Sequence, residues 1–249
     1  MNTRIFRRYG HFGIAVCLLA VAVLLLSACQ ITTVRGSGNV VTEEREVSGF
    51  DTVALSGVGR VIITQGDEES LTIETDDNLM RHIESNVRNG TLELGLARNT
   101  IPVPTQSIIF RVSVDDLTGL TSSGAGLFEI EELEADRLRV TLSGAGDIGI
   151  DSLSAADLTV TISGAGNVDL AGQVETQEID MSGFGNYNAP DLESQTASVR
   201  IGGAGSTVIW ALDTLDVEIS GAGNVEYYGS PQVTREISGA GKVTSQGDK

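Results

Sequence analysis

Residues 143–162 read SGAGDIGIDSLSAADLTVTI, and residue 163 begins the same tag again with SGAGNVDL. The Ser-Gly-Ala-Gly tag or a near copy starts at Ser123, Ser143, Ser163, Ser182, Gly202, Ser220 and Ser238, at gaps of 20, 20, 19, 20, 18 and 18 residues. A fixed period of this length marks one supersecondary unit stacked on itself, because no single unit buries its apolar face alone. The residue before the tag is Leu142, Ile162, Met181, Ile201, Ile219 or Ile237, with Ser122 the exception. Three before it stands Leu120, Val140, Val160, Ile179, Val199 or Val217. Apolar, mostly β-branched residues at alternate positions read as strand. Alternation resumes after the tag at Ile148 and Ile150, Val168 and Leu170, and Val225 and Tyr227. One repeat is strand, glycine corner, strand, and a looser turn such as Ser152–Asp157.

The second and fourth tag positions are Gly in every copy, which asks for positive φ or for close approach of backbones. The predicted fold is an all-β parallel solenoid with coils of 19–20 residues. Seven coils about 4.8 Å apart make a rod of roughly 34 Å. Side chains just after the tag form a ladder of Leu127, Asp147, Asn167, Asn186, Ser206, Asn224 and Lys242. Such residues either cap turns or form an exposed binding row. A propeller blade would need about two repeats, leaving half a blade over, and calcium-binding rolls need a shorter period with an acid after each tag. Here only Asp147 supplies that acid.

Residues 1–28 read as a lipoprotein signal peptide: Arg4, Arg7 and Arg8, then the apolar run Ile14–Leu26, then small residues. The stretch Leu26-Ser27-Ala28-Cys29 resembles a bacterial lipobox. That resemblance implies cleavage before Cys29, acylation of its thiol and amine with palmitate-type chains, and, with Gln30 next, sorting to the outer membrane. Cys17 would leave with the signal, so no thiol pair remains for a disulfide. Residues 29–35 would be a lipidated tether.

The formal charge is −18, and loss of the signal's three Arg leaves −21. A body this acidic repels phosphate backbones and anionic headgroups, which excludes nucleic acid as a partner. Acyl chains would hold it to the membrane instead.

Residues 36–249 read as a single solenoid domain, irregular over 36–114 and regular over 115–249. Phe50–Leu55, Arg60–Gln65, Ser70–Glu74, Thr91–Leu96 and Ile108–Val114 alternate as strands. Leu79, Met80, Ile83 and Val87 have helical spacing, predicting one short helix over Asp76–Val87 with Asp76 or Asp77 as N-cap. Asn89-Gly90 signals a hairpin, and Ile101–Gln106, with Pro102 and Pro104, reads as a loop. This section would cap the first coil.

Gly36-Ser37-Gly38-Asn39-Val40, Val47-Ser48-Gly49-Phe50-Asp51, Gln65-Gly66 and the later tags together resemble the autotransporter-adhesin head domain, or head GIN domain. The likeness runs from Gly36 to Lys249. It implies a right-handed parallel β-helix in bacterial envelope proteins, often lipoproteins, and brings no catalytic residues.

The expected function is a non-enzymatic, lipid-anchored envelope protein with an adhesin-like or scaffolding role, its partner beyond the membrane being a glycan or an envelope or matrix protein. Tyr187, Trp210, Tyr227 and Tyr228 are the candidate ligand contacts; the competing reading is that they are packed or end-capping. A polysaccharide-acting enzyme is one alternative. Asp147, Asp151, Asp157 and Asp169 are scattered over turns, and few cations (Arg137, Arg139, Arg200, Arg235, Lys242) serve an acidic substrate. Self-assembly through strand edges at the rod ends is another. His82 is the one His after the signal, so no metal site, triad or cofactor is expected.

Overall fold

The computed structural model describes residues 32–249. The expected signal peptide, Cys29 and residues 29–31 of the tether lie outside the described residues. Among the described residues the fold is all-β apart from one helical turn, a β-solenoid of about six turns with an irregular opening section. Six turns replace the seven coils expected, because seven stacked tags on one column delimit six intervals.

The opening section runs β1 (Thr32–Arg35), β2 (Val40–Arg45), β3 (Thr52–Leu55), β4 (Val58–Gln65), β5 (Ser70–Asp76), α1 (Asp77–Met80), β6 (Ile83–Arg88), β7 (Thr91–Leu96), β8 (Thr100–Val103), β9 (Ile109–Val114) and β10 (Gly119–Ser122). Chain order is not stacking order here. The coil of β3 and β4 is sandwiched: β3 pairs in parallel with β7 and β10, and β4 with β9 and the first long strand. Antiparallel β6 closes β7, and antiparallel β5 and β2 close β9. This end of the parallel stack is thereby capped.

Three expectations are corrected in this section. The helix over Asp76–Val87 is only the turn Asp77–Met80, and Ile83–Arg88 is strand. Asn89 and Gly90 both have positive φ, 51° and 78°, as a two-residue primed turn requires. The hairpin this turn commands reaches back to Ile83, and tertiary pairing overrides the helical spacing. The expected Pro-containing loop overlaps β8, which among the described residues pairs with β1 alone; an edge strand tolerates the missing Pro102 N–H. That pairing also turns Thr32–Arg35 from tether into strand.

The regular part comprises β11 (Ala125–Leu142), β12 (Asp147–Ile162), β13 (Asn167–Met181), β14 (Asn186–Ile201) and β15 (Ser206–Ile219), then β16 (Asn224–Tyr228), β17 (Gln232–Ile237) and β18 (Lys242–Ser245). Ser152–Asp157, expected as a looser turn, lies inside β12 with most of its residues in register with both neighbours. Inward columns are apolar and buried: Leu142, Ile162, Met181, Ile201 and Ile219 form one, Val140, Val160, Ile179, Val199 and Val217 another.

The tag glycines answer to close approach, not to positive φ. A Cβ on Gly144 would sit 1.9 Å from the Gly124 carbonyl oxygen, and one on Gly146 2.1 Å from that of Gly126. The third tag position instead faces solvent, where Phe184 is 76% exposed. Smallness is thus demanded at the glycines and not between them.

Among the described residues the far end of the stack is open: β17 pairs only with β15 and β18 only with β16. Arg235 occupies the register position that Val199 and Val217 fill in the coils before it.

Candidate functional site

The post-tag ladder stacks as the spacing predicts: Leu127, Asp147, Asn167, Asn186, Ser206, Asn224 and Lys242 are successive register partners. Its polar members are exposed or half-buried. Asn167 Nδ2 and its backbone N–H both donate to Asp147 Oδ1, at 2.8 and 3.0 Å. Asn186 Nδ2 donates to Asn167 Oδ1 at 2.9 Å, and the Ser206 N–H to Asn186 Oδ1 at 3.2 Å. Two residues on, Asn188 Nδ2 donates to Asp169 Oδ1 at 2.9 Å. The row is both exposed and bonded coil to coil, so it staples the stack while facing solvent.

Beside this row lies a concave face of about 890 Å³ lined by Glu129, Glu132, Asp147, Asp151 and Asp169 among others. An adjoining hollow of about 1290 Å³ carries Asp115, Asp136, Asp157 and Glu175. Arg60 meets Glu129 through two hydrogen bonds of 2.6 and 2.7 Å, and Arg137 lies 3.3 Å from Asp157. The remaining acids give the flank a strong negative field, which disfavours anionic ligands. Among the described residues no group of three or more His, Cys, Asp or Glu is placed to hold a metal.

The four aromatic candidates separate. Tyr187 is corrected: it sits in the inward column of Ile148 and Val168 and is fully buried, out of reach of any surface ligand. Its hydroxyl donates to Gln177 Oε1 at 3.0 Å, and burial pushes its ionisation far above the usual phenol range. Gln177 Nε2 donates to Ser194 Oγ at 2.7 Å, and Ser194 Oγ donates to the Trp210 carbonyl at 2.8 Å. This satisfied interior network was not foreseen, although the alternation at Ile148 and Val168 already assigned position 187 inward.

Trp210 and Tyr228 are register partners on an outward row that begins Glu134, Ser154, Gln173, Glu193. Both are half-buried, and Tyr227 packs against the core. Lys249 Nζ lies 5.4 Å from each ring centroid, Trp210 and Tyr228. It also donates to the Pro190 carbonyl at 2.7 Å and pairs with Asp191. Gln246 N–H donates to the Tyr227 carbonyl at 2.8 Å, and Gly229 N–H to that of Gly247 at 3.0 Å. The tail expected to cap or dangle therefore lies latched over the aromatic pair. Phe184, seen in the sequence only as a flawed tag, is the most exposed large apolar residue described.

A second unforeseen cluster ties the opening Gly36–Asn39 to the cap. Asp76 accepts the Thr105 N–H and hydroxyl, at 2.9 and 2.7 Å, and the Gly38 N–H at 2.8 Å. These bonds, led by Thr105, hold its carboxyl below the usual range. Asp77 is lowered likewise by the Ser37 hydroxyl and the Asn39 amide. Asp76 thus serves this clasp and makes no side-chain cap to α1. His82 follows α1 in a turn, not on a helix, and its Nε2 accepts from Arg81 Nε at 3.3 Å.

A family model described as "Putative auto-transporter adhesin, head GIN domain" matches residues 49–231. Among solved structures, the chain is similar to a "putative adhesin" of Bacteroides fragilis, 25% identical with a TM-score of 0.82 over 85% of this chain and 99% of that one. A "putative lipid binding protein" of Parabacteroides distasonis aligns at 21% identity and a TM-score of 0.73, over 86% and 99%. A "putative adhesin" of the same species aligns at 19% and 0.71, over 86% and 100%. At the two lower identities the likeness is one of fold. Comparison with curated proteins gives no match.

Proposed function

From the premise that this chain belongs to the auto-transporter adhesin head GIN family, we propose that it is a non-enzymatic adhesive or scaffolding module of the bacterial envelope, anchored by lipid at Cys29 and sorted to the outer membrane. The observation that carries this reading is the outward row ending in Trp210 and Tyr228, beside a self-bonded polar ladder. A rigid row of polar groups ending in half-exposed rings offers contact over length, as recognition of an extended glycan or protein surface requires. Aromatic faces give apolar area at low conformational cost. The acids on the concave face lie in solvent-facing rows, where a general acid–base pair would need two groups converging on one bond. Phe184 supplies a second exposed apolar contact.

The test is a glycan and envelope- or matrix-protein array probed with the detergent-purified chain, with Trp210→Ala/Tyr228→Ala and with Phe184→Ala. Selective binding lost in the double variant supports both the role and the row. Binding retained in every variant sinks these contacts and keeps the role. A folded chain that binds nothing on the array leaves the scaffolding form alone. Anchoring is read separately: acyl label and membrane recovery that persist in Cys29→Ser would refute the lipid site.

A further inference from the structure

We infer that the small β1–β8 sheet is a membrane-docking face, which seats the capped end of the solenoid on an anionic phospholipid surface. The inference rests on the anchored reading above and deepens it. In the parallel β1–β8 pair, Thr33 is opposite Ile101 and Arg35 opposite Val103, so these four side chains share one face. Ile101 is 50% and Val103 41% exposed. Other large exposed apolar residues described, Val58, Phe184 and Ile237, stand singly on other strands or corners.

Charge points the same way. Arg35, Arg81 and Arg98 are exposed, and none of them is in an ion pair among the described residues. The sheet is bonded to the cap near them: the Thr32 N–H donates to the Asn99 carbonyl, the Ala97 N–H to that of His82, and Asn78 Nδ2 to that of Arg35, each at 2.8 Å. The neighbouring carboxylates of Asp76 and Asp77 stay ionised and take their bonds from neutral groups of Gly38, Thr105, Ser37 and Asn39, leaving the arginines unpaired. Asp77 on α1 and Glu84 on β6 are the exposed acids close by in sequence. Three exposed, unpaired arginines gathered beside one sheet of so acidic a molecule fit an anionic surface, which attracts each basic side chain near it.

Chain length fixes the occupant. Two residues separate Cys29 from Thr32, so β1 begins within roughly 10 Å of the proposed acyl site. With acyl chains in the bilayer, no tether remains to lift this sheet off the headgroups. Half-exposed aliphatic side chains flanked by cations are what an interfacial segment presents.

The experiment uses the chain's one Trp as the distal reporter. The full-length protein is purified from membranes and reconstituted in vesicles of phosphatidylethanolamine and phosphatidylglycerol with brominated acyl chains. Emission is compared between the parent, read at Trp210, and Ile101→Trp/Trp210→Phe, read at the sheet. The expected result is quenching of about twofold or more with a blue shift at 101, and an unchanged Trp210 signal, because an interfacial side chain meets the acyl boundary. Val103→Trp/Trp210→Phe repeats the test should the first variant fold poorly. In addition, Arg35→Gln and Arg98→Gln should each weaken vesicle association of the delipidated chain by about fivefold. A membrane-bound protein without quenching at either position overturns the docking face and leaves the anchor standing. Recovery of the parent as a soluble protein removes the anchor; the same variants are then mixed with the vesicles, where quenching upholds the face and its absence overturns it.

Discussion

Gly144→Ala tests the reason for the tag. The added Cβ would lie 1.9 Å from the Gly124 carbonyl oxygen and 2.8 Å from its carbonyl carbon and nitrogen, all backbone atoms. To restore ordinary contact the two coils must part locally by about 1.5 Å, a third of their spacing. The hydrogen bonds from Ala145 N–H to the Gly124 carbonyl, 2.9 Å, and from Gly144 N–H to the Ser122 carbonyl, 3.2 Å, do not survive that movement. Two lost ladder bonds plus overpacking strain amount to about 3–5 kcal/mol. Gly149→Ala is the matched control: its Cβ meets nothing closer than the Phe128 carbonyl oxygen at 3.8 Å. Both substitutions lower unfolded-chain entropy alike, stabilising by about 0.4–1 kcal/mol, so the difference isolates the close approach. Denaturant unfolding followed by far-ultraviolet circular dichroism, with amide exchange at Ala145, measures it. Equal midpoints for the two variants would refute the claim that these glycines exist to let coils touch.

Other outcomes follow from the same geometry. Gln177→Leu should cost about 1–3 kcal/mol by orphaning the buried Tyr187 hydroxyl, and Tyr187→Phe in the same chain should restore most of it, as a double-mutant cycle in urea would show. The depressed Asp76 carboxyl makes the unfolded chain the stronger proton binder, so its stabilisation is present above the ordinary carboxylate range and is lost as pH falls through the folded value. Acid titration of the unfolding midpoint should therefore be flatter in Asp76→Asn. Arg235→Val would continue the apolar column to the open rung, and sedimentation should then reveal end-to-end association above that of the parent, since an inward-pointing charge is one of the ways strand edges are blunted.

The solenoid was legible because its signal is repeated. Ile148, Val168 and Val225 declare one inward position many times over, and the tag spacing fixes which residues stack. The opening section offers each of its signals once. Leu79, Met80, Ile83 and Val87 fit a helix as well as a turn leading into a strand, and only the partner strand β7 decides between them. Pro102 argued against a strand because pairing on one side alone cannot be read from composition. For the candidate contacts, the alternation placed Tyr187 inward but its phenol suggested a ligand; the missing information was Gln177, a polar group ten residues away that faces the same interior. The latch of Lys249 over Trp210 and Tyr228 joins segments whose meeting depends on the winding of the coils.

The sandwiched position of β3 and β4 bears on how the molecule is completed. Coils from β11 onward need only the preceding twenty or so residues as a template, a local and rapidly closed contact. The coil of residues 52–65 needs residues 91–114 on one side and 119–130 on the other. A chain delivered amino end first presents this coil before either neighbour exists. One unsatisfied edge waits through the emergence of about fifty further residues and the other through about sixty-five, a period of exposure that invites wrong pairing. We expect the Val61 amide to gain exchange protection after that of Val160 in a pulsed refolding experiment, and simultaneous protection would contradict this. The segment that enters first is the one the rest of the chain must return to finish.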